Sequence, residues 1–138
     1  MRFWDSSAIT PLLVDEADSQ RREQQLGEDG VMVVWYATAV EIESALNRRI
    51  RDGSLSGENI HFARQRLQQL TDAWVEVEPS NKVRDRALRL LRVHPLRAAD
   101  TLQLAAALVV CDERTHGFFF LTGDQRLHEA ATAEGFSF

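Results

Sequence analysis

"PLRAADTLQLAAAL", residues 95–108, decides how the chain is read. From Ala98 the segment is mostly alanine and leucine at helical length, with one carboxylate, Asp100, near its start. A helix apolar on nearly every side must be buried on most of its circumference. It is expected to lie across a sheet, with Asp100 in its first turn. An acid there suits the helix dipole, and it also delivers a carboxylate to whatever the end of the helix faces.

Outward from this segment, short apolar runs alternate with longer helical ones. "MRFW" (1–4), "VMVVW" (31–35), "WVEV" (74–77) and "FFFL" (118–121) read as strands, because continuous β-branched and aromatic runs suit a sheet covered on both faces. The final "FSF" is assigned as a short edge strand. Helices fill the intervals, with "SSAITPLLVDEADSQRREQQLG" taken as one of them and its polar second half as solvated. Alternation of this kind predicts an α/β fold: a three-layer α/β/α sandwich around a mainly parallel sheet of four to five strands, in a single domain over residues 1–138. Thr38 and Glu41 have the spacing of a capping box, Ser56 and Ser80 stand where helices begin, and Gly53 and Gly135 where they end. In "RALRLLRV", Ala87, Leu88 and Leu91 are assigned inward and Arg86, Arg89 and Arg92 outward.

Composition removes several classes of function. A net charge of −5 argues against a protein that coats nucleic acid through bulk positive charge. Of the 16 basic residues only Lys82 is a lysine. Cys111 is the one cysteine and can form no internal disulfide, which suits a reducing compartment. No run approaches the roughly 18 apolar residues of a membrane span, and Asp5 interrupts the start too early for a signal sequence, so a cytoplasmic location without membrane contact is expected. His61, His94, His116 and His128 are scattered without metal-ligand spacing, and neither phosphate-binding glycine motif occurs.

Carboxylates carry the chemical signal. Parallel strands end at a common edge, where open α/β folds place their ligands. Asp5 directly follows the first strand, Glu41 lies in the first turn of the helix after the second, and Asp124 comes three residues after "FFFL". Packing the helix read over "AADTLQLAAALVVCDE" (98–113) on the sheet brings Asp100 to the same edge. Each acid alone is an ordinary helix cap, but four together repel one another unless a cation intervenes. Oxygen ligands without cysteine or histidine favour Mg²⁺ or Mn²⁺ over Zn²⁺. Ser6, Ser7 and Thr122 adjoin Asp5 and Asp124 and can brace a carboxylate, or equally cap a turn. Glu43, two residues beyond Glu41, points elsewhere and is assigned to the surface, with a peripheral ligand as the alternative.

Taken in order, "FWDSSAITPLL", "TAVEIESAL", "LRAADTLQLAAAL" and "FFFLTGDQRLHEAATAEGF" resemble the PIN-domain ribonucleases, in particular the VapC toxins of bacterial toxin and antitoxin pairs. The resemblance implies an acidic metal site made of Asp5, Glu41, Asp100 and Asp124, accompanied by Ser7 and Thr122. It also implies Mg²⁺- or Mn²⁺-dependent endonucleolytic cleavage of RNA, inhibition by a cognate VapB-like antitoxin, and a homodimer. Within that site Asp5, Asp100 and Asp124 are assigned to the metal, and Glu41 as ligand or water-positioning base. Arg89, Arg92 and Arg97 are assigned to the RNA phosphates, with "RRIR" at 48–51 extending the track. Trp35, Tyr36 and Trp74 are candidates for an apolar antitoxin groove, with the core as their ordinary location. Trp4 and Gly123 depart from the family's usual residues, and Gly123 is expected to loosen the loop that carries Asp124. The rival readings are a phosphoacceptor receiver domain, which Lys82 fits poorly, and a catalytically silent PIN-like module that binds RNA or protein.

Overall fold

A computed structural model describes residues 1–138. Its strands are β1 (Arg2–Trp4), β2 (Met32–Trp35), β3 (Val75–Val77) and β4 (Phe119–Leu121). Its helices are α1 (Ser6–Leu13), α2 (Ser19–Glu28), α3 (Thr38–Arg51), α4 (Glu58–Ala73), α5 (Asn81–Leu91), α6 (Ala98–Val110) and α7 (Gln125–Ala133). All strand pairs are parallel, in the order β3-β2-β1-β4.

Successive strand residues alternate between two buried faces. Phe3, Val33, Trp35 and Phe120 join residues of α5, α6 and α7 in one apolar cluster. Trp4, Met32, Val34 and Leu121 join α1, α3 and α4 in the other. Because neither face of β1, β2 and β4 meets water, these strands read as apolar runs and the three-layer sandwich follows directly, whereas the edge strand β3 carries Glu76 and leaves Val75 exposed. In α6, every residue from Gln103 to Leu108 is buried. "FSF" contributes a single parallel bridge, Phe119 to Ser137, with the Phe120 N–H donating to the Ser137 carbonyl at 3.0 Å.

From β1 the chain proceeds to β2 and β3 on one side, whereas β4 lies on the other. The topological switch point therefore falls between β1 and β4, where side chains at the carboxyl ends of the strands face a crevice. Asp5 follows β1 there and Thr122 follows β4. No helix is long and apolar enough to cross a membrane.

Five local expectations are corrected. The first long helix is two: Val14 is extended (φ −128°, ψ 148°), and the Ser19 hydroxyl accepts from the Glu16 N–H at 2.9 Å while donating to the Val14 carbonyl at 3.0 Å, closing a turn. The new direction of α2 buries Arg22, which is only 1% exposed, so this segment is not wholly solvated. Thr38 does not cap α3; it is the first helical residue, Ala37 precedes it as cap, and its hydroxyl is buried against Gln103. In α5 the buried stripe is Val83, Ala87 and Leu90, at spacings of four and three, while Leu88 and Leu91 are 53% and 43% exposed. Arg86 is not a free surface cation, because Nε donates to Glu113 at 2.9 Å and an Nη to Glu134 at 3.2 Å. Ser80 does cap α5, accepting from the Val83 N–H at 3.2 Å. At Gly135, φ is +92° and a Cβ would stand 2.7 Å from Thr115 Oγ1, so only glycine fits this helix end.

Candidate active site

Asp5 is the most enclosed of the four acids, at 2% exposed. It caps α1, and its Oδ2 accepts from the Ser7 N–H at 3.2 Å, from the Ser7 hydroxyl, and from the Thr122 hydroxyl at 2.9 Å. The last of these crosses from the β1–α1 junction to the loop after β4. The same loop is stitched further by the Gly123 N–H donating to Ser7 Oγ at 2.8 Å and the Asp124 N–H donating to Thr122 Oγ1 at 3.0 Å. A Cβ on Gly123 would meet the Ser7 carbonyl at 3.3 Å, so glycine permits close approach here and the loop is tied down instead of loosened. Trp4, the other departure, is fully buried in the α1, α3 and α4 cluster, with its indole N–H unpartnered.

Glu41 projects from the first turn of α3, where its Oε2 accepts from the Ser6 hydroxyl and from Gln103 Nε2, both at 2.8 Å. Gln103 Nε2 also donates to Thr38 Oγ1 at 3.1 Å. Thr38, Glu41 and the fully buried Gln103 thus form one polar network inside an otherwise apolar layer. Asp100 lies in the first turn of α6, and Asp124 caps α7 by accepting from the Leu127 N–H at 2.8 Å. Two of the acids, Asp5 and Asp124, are therefore helix caps. The other two make no capping bond.

Electrostatics tie the acids to one another. Burial raises the Asp5 carboxyl above its ordinary value, against the lowering influence of the Ser7 and Thr122 hydrogen bonds. Burial likewise raises Glu41; the bonds from Ser6 and Gln103 oppose it, while the charges of Asp5 and Asp100 add to it. Asp100 is raised by burial, then by the charges of Asp124 and Asp5, with Arg97 working the other way. Asp5, Glu41 and Asp100 thus share one electrostatic neighbourhood at the switch-point edge, and the charge of Asp124 acts on Asp100 within it.

A cavity of about 700 Å³ is lined by Ser6, Ser7, Glu41, Ser44, Arg48 and Gly123 among others. A second, of about 430 Å³, is lined by Leu96, Arg97, Asp100, Asp124, Gln125 and Arg126. Arg89, on α5, and Arg92, the residue that follows that helix, line neither of these cavities. Arg97 does, together with Arg126, which the sequence reading did not single out. Arg49 of the "RRIR" run is engaged by Glu16, leaving Arg48 as its free cation at the larger cavity. Trp35 and Trp74 pack on opposite faces of the sheet and Tyr36 is 52% exposed, so these aromatics do not line a common groove.

Carboxylate and hydroxyl oxygens are the donors at this edge, a set that suits a hard divalent cation. No three side chains of the ligating types already stand close enough to hold a metal ion. A cation would have to draw the carboxylates inward against the hydrogen bonds that now brace them.

Residues 2–133 match the model of the PIN domain. The chain belongs to the PIN domain family. Two similar proteins are Ribonuclease VapC45 of Mycobacterium tuberculosis (strain CDC 1551 / Oshkosh) and Ribonuclease VapC49 of Mycobacterium tuberculosis (strain ATCC 25618 / H37Rv). Each is 29% identical over 133 residues, which span 96% of this chain and 90% of the relative. The matched region of this PIN domain runs from before Asp5 to beyond Asp124 and so includes all four acids.

Proposed function

We propose that this PIN domain is a divalent-metal-dependent endoribonuclease and the toxin of a toxin and antitoxin pair. The observation that carries the reading is the placement of Asp5, Glu41, Asp100 and Asp124 at the starts of α1, α3, α6 and α7, with the Thr122 hydroxyl bridging Asp5 to the Asp124 N–H at the β1/β4 switch point. The ribonuclease names of its relatives support RNA as substrate. Asp5, Asp100 and Asp124 would hold Mg²⁺ or Mn²⁺, relieving their mutual repulsion. When bound, such an ion polarises the scissile phosphate and makes water a better nucleophile at neutral pH. Glu41, whose proton affinity is raised and whose hydrogen bonds all end on Oε2, is suited to take the proton from the attacking water. Ser7 and Thr122 hold Asp5 in place, and Gln103 holds Glu41.

Incubating the pure protein with a pool of structured RNAs tests this reading. Discrete cleavage is expected with Mg²⁺ or Mn²⁺ and none with EDTA. RNA binding without metal-dependent cutting would replace the enzyme by a silent binding module. A VapB-like antitoxin as inhibitor and a homodimer belong to the same proposal, and sedimentation with and without the partner checks both.

Two further results are expected. Gln103→Leu removes the support of Glu41 and leaves the Thr38 hydroxyl without its partner; cleavage is expected to fall by about 10- to 100-fold, the usual scale for losing a residue that orients a ligand or base. Arg97 and Arg126, beside Asp100 and Asp124, are proposed to contact RNA phosphates. Replacing both by alanine in an Asp5→Asn background is expected to flatten the slope of log affinity against log salt by about 1.4 for single-stranded RNA. Arg92 and Arg89 replacements are expected to change the slope less, because these residues lie outside both cavities.

A further inference from the structure

In α2, the only buried residue is an arginine. Arg22 is 1% exposed, whereas its neighbours Arg21 and Glu23 face solvent. Burying a guanidinium is costly unless it is paired and hydrogen-bonded, and its local partners are sparse. Nη1 donates to Gln25 Oε1 at 3.0 Å and Nη2 donates to the Thr122 carbonyl at 2.8 Å. Its Nε is buried with no partner. The nearest carboxylate, Asp18, is 3.9 Å away with its side chain about half in solvent. An apolar side chain would satisfy the packing more cheaply, so a purely structural role leaves the choice of arginine unexplained.

What the guanidinium touches supplies an explanation. Thr122 is the first residue after β4, at the switch point, and its hydroxyl donates to Asp5 Oδ2 at 2.9 Å while accepting from the Asp124 N–H at 3.0 Å. Arg22 therefore grips, by its backbone, the residue whose side chain connects Asp5 to Asp124. Its charge is also attracted to Asp5, which partly offsets the effect of burial on the guanidinium. We propose that Arg22 is a positioning residue for cation capture: it fixes the Thr122 carbonyl, and so the Asp5 and Asp124 carboxylates, and this ordering outweighs the repulsion between its own charge and the captured ion. The inference rests on reading that cluster as a divalent-metal site.

Mn²⁺ binding to the metal-free full chain, followed by electron paramagnetic resonance, tests it without relying on activity. In Arg22→Met, Mn²⁺ affinity is expected to fall by about 10- to 100-fold, and the accompanying loss of RNA cleavage is expected to shrink as Mn²⁺ is raised. Arg22→Lys, which keeps one donor for the Thr122 carbonyl, is expected to recover most of the affinity. Arg22→Gln, whose amide ends two bonds short of the nitrogen that reaches the Thr122 carbonyl, stands in if the methionine variant does not fold; it is expected to bind weakly as well. A folded Met or Gln variant with wild-type Mn²⁺ affinity, whatever its melting temperature, overturns the proposal. If the wild-type chain binds no Mn²⁺, or binds it independently of Asp5, the metal-site reading itself fails and takes this inference with it.

Discussion

Asp5→Asn is expected to lower metal-dependent RNA cleavage by at least about a thousandfold, the upper range seen when a preorganised electrostatic group is removed from an active site. The substitution is nearly isosteric. Asparagine retains an oxygen that can accept from Ser7 and Thr122, so the link between the β1–α1 junction and the β4–α7 loop survives, while the charge at the centre of the cluster is lost. Measured at saturating RNA with Mg²⁺ or Mn²⁺, the loss should appear in kcat. Activity within about tenfold of wild type would mean that Asp5 is a buried cap and nothing more.

The same charge makes the fold sensitive to pH in an unusual direction. Asp5, Glu41 and Asp100 are all raised above ordinary values of 3.8, 4.5 and 3.8. A carboxyl raised on folding binds its proton more tightly in the native than in the unfolded state. Its stabilising effect is complete below the ordinary value and lost as pH rises through the native one. Lowered acids such as Glu43 and Asp52 act in the opposite sense but are mostly exposed, and their influence is confined to pH below their ordinary range. In EDTA, therefore, thermal stability is expected to fall as pH rises from about 4.5 towards neutrality. A divalent cation should reverse the trend, adding about 2.7 kcal/mol at a concentration 100 times its Kd. Asp5→Asn should melt higher than wild type in EDTA and gain less from the cation, with roughly 2 to 8 °C per kcal/mol of repulsion relieved. Differential scanning calorimetry across pH, with and without Mg²⁺, checks this. Metal-free stability that rises over this range would show that the acids are compensated by groups other than a cation.

These expectations trace back to what the sequence made legible and what it did not. Strands buried on both faces leave continuous apolar runs, which is why β1, β2 and β4 could be read within a residue of their ends. The four acids were legible for a related reason: parallel strands share one edge, so position after a strand becomes position in space. Gln103 was harder to see, because a single amide in an apolar helix resembles a core residue. Its signal was the spacing of three from Asp100, which puts both on one helix face. Arg22 carried no such signal, since its surroundings in sequence are uniformly polar and only the turn closed by Ser19 swings it beneath the β4 loop. The arginines of α5 misled for the opposite reason. Their helical spacing suggested a track, but the cavities beside the acids are lined by Arg48, Arg49, Arg97 and Arg126, and that grouping depends on how separate helices pack.

At the centre of this account is a divalent ion gathered by acids from separate parts of the chain. Anomalous diffraction from crystals of the full chain soaked in Mn²⁺ locates such an ion directly. The account predicts a peak among the carboxylates of Asp5, Asp100 and Asp124 that vanishes in Asp5→Asn. Strong Mn²⁺ peaks elsewhere with none at the β1/β4 switch point would contradict it.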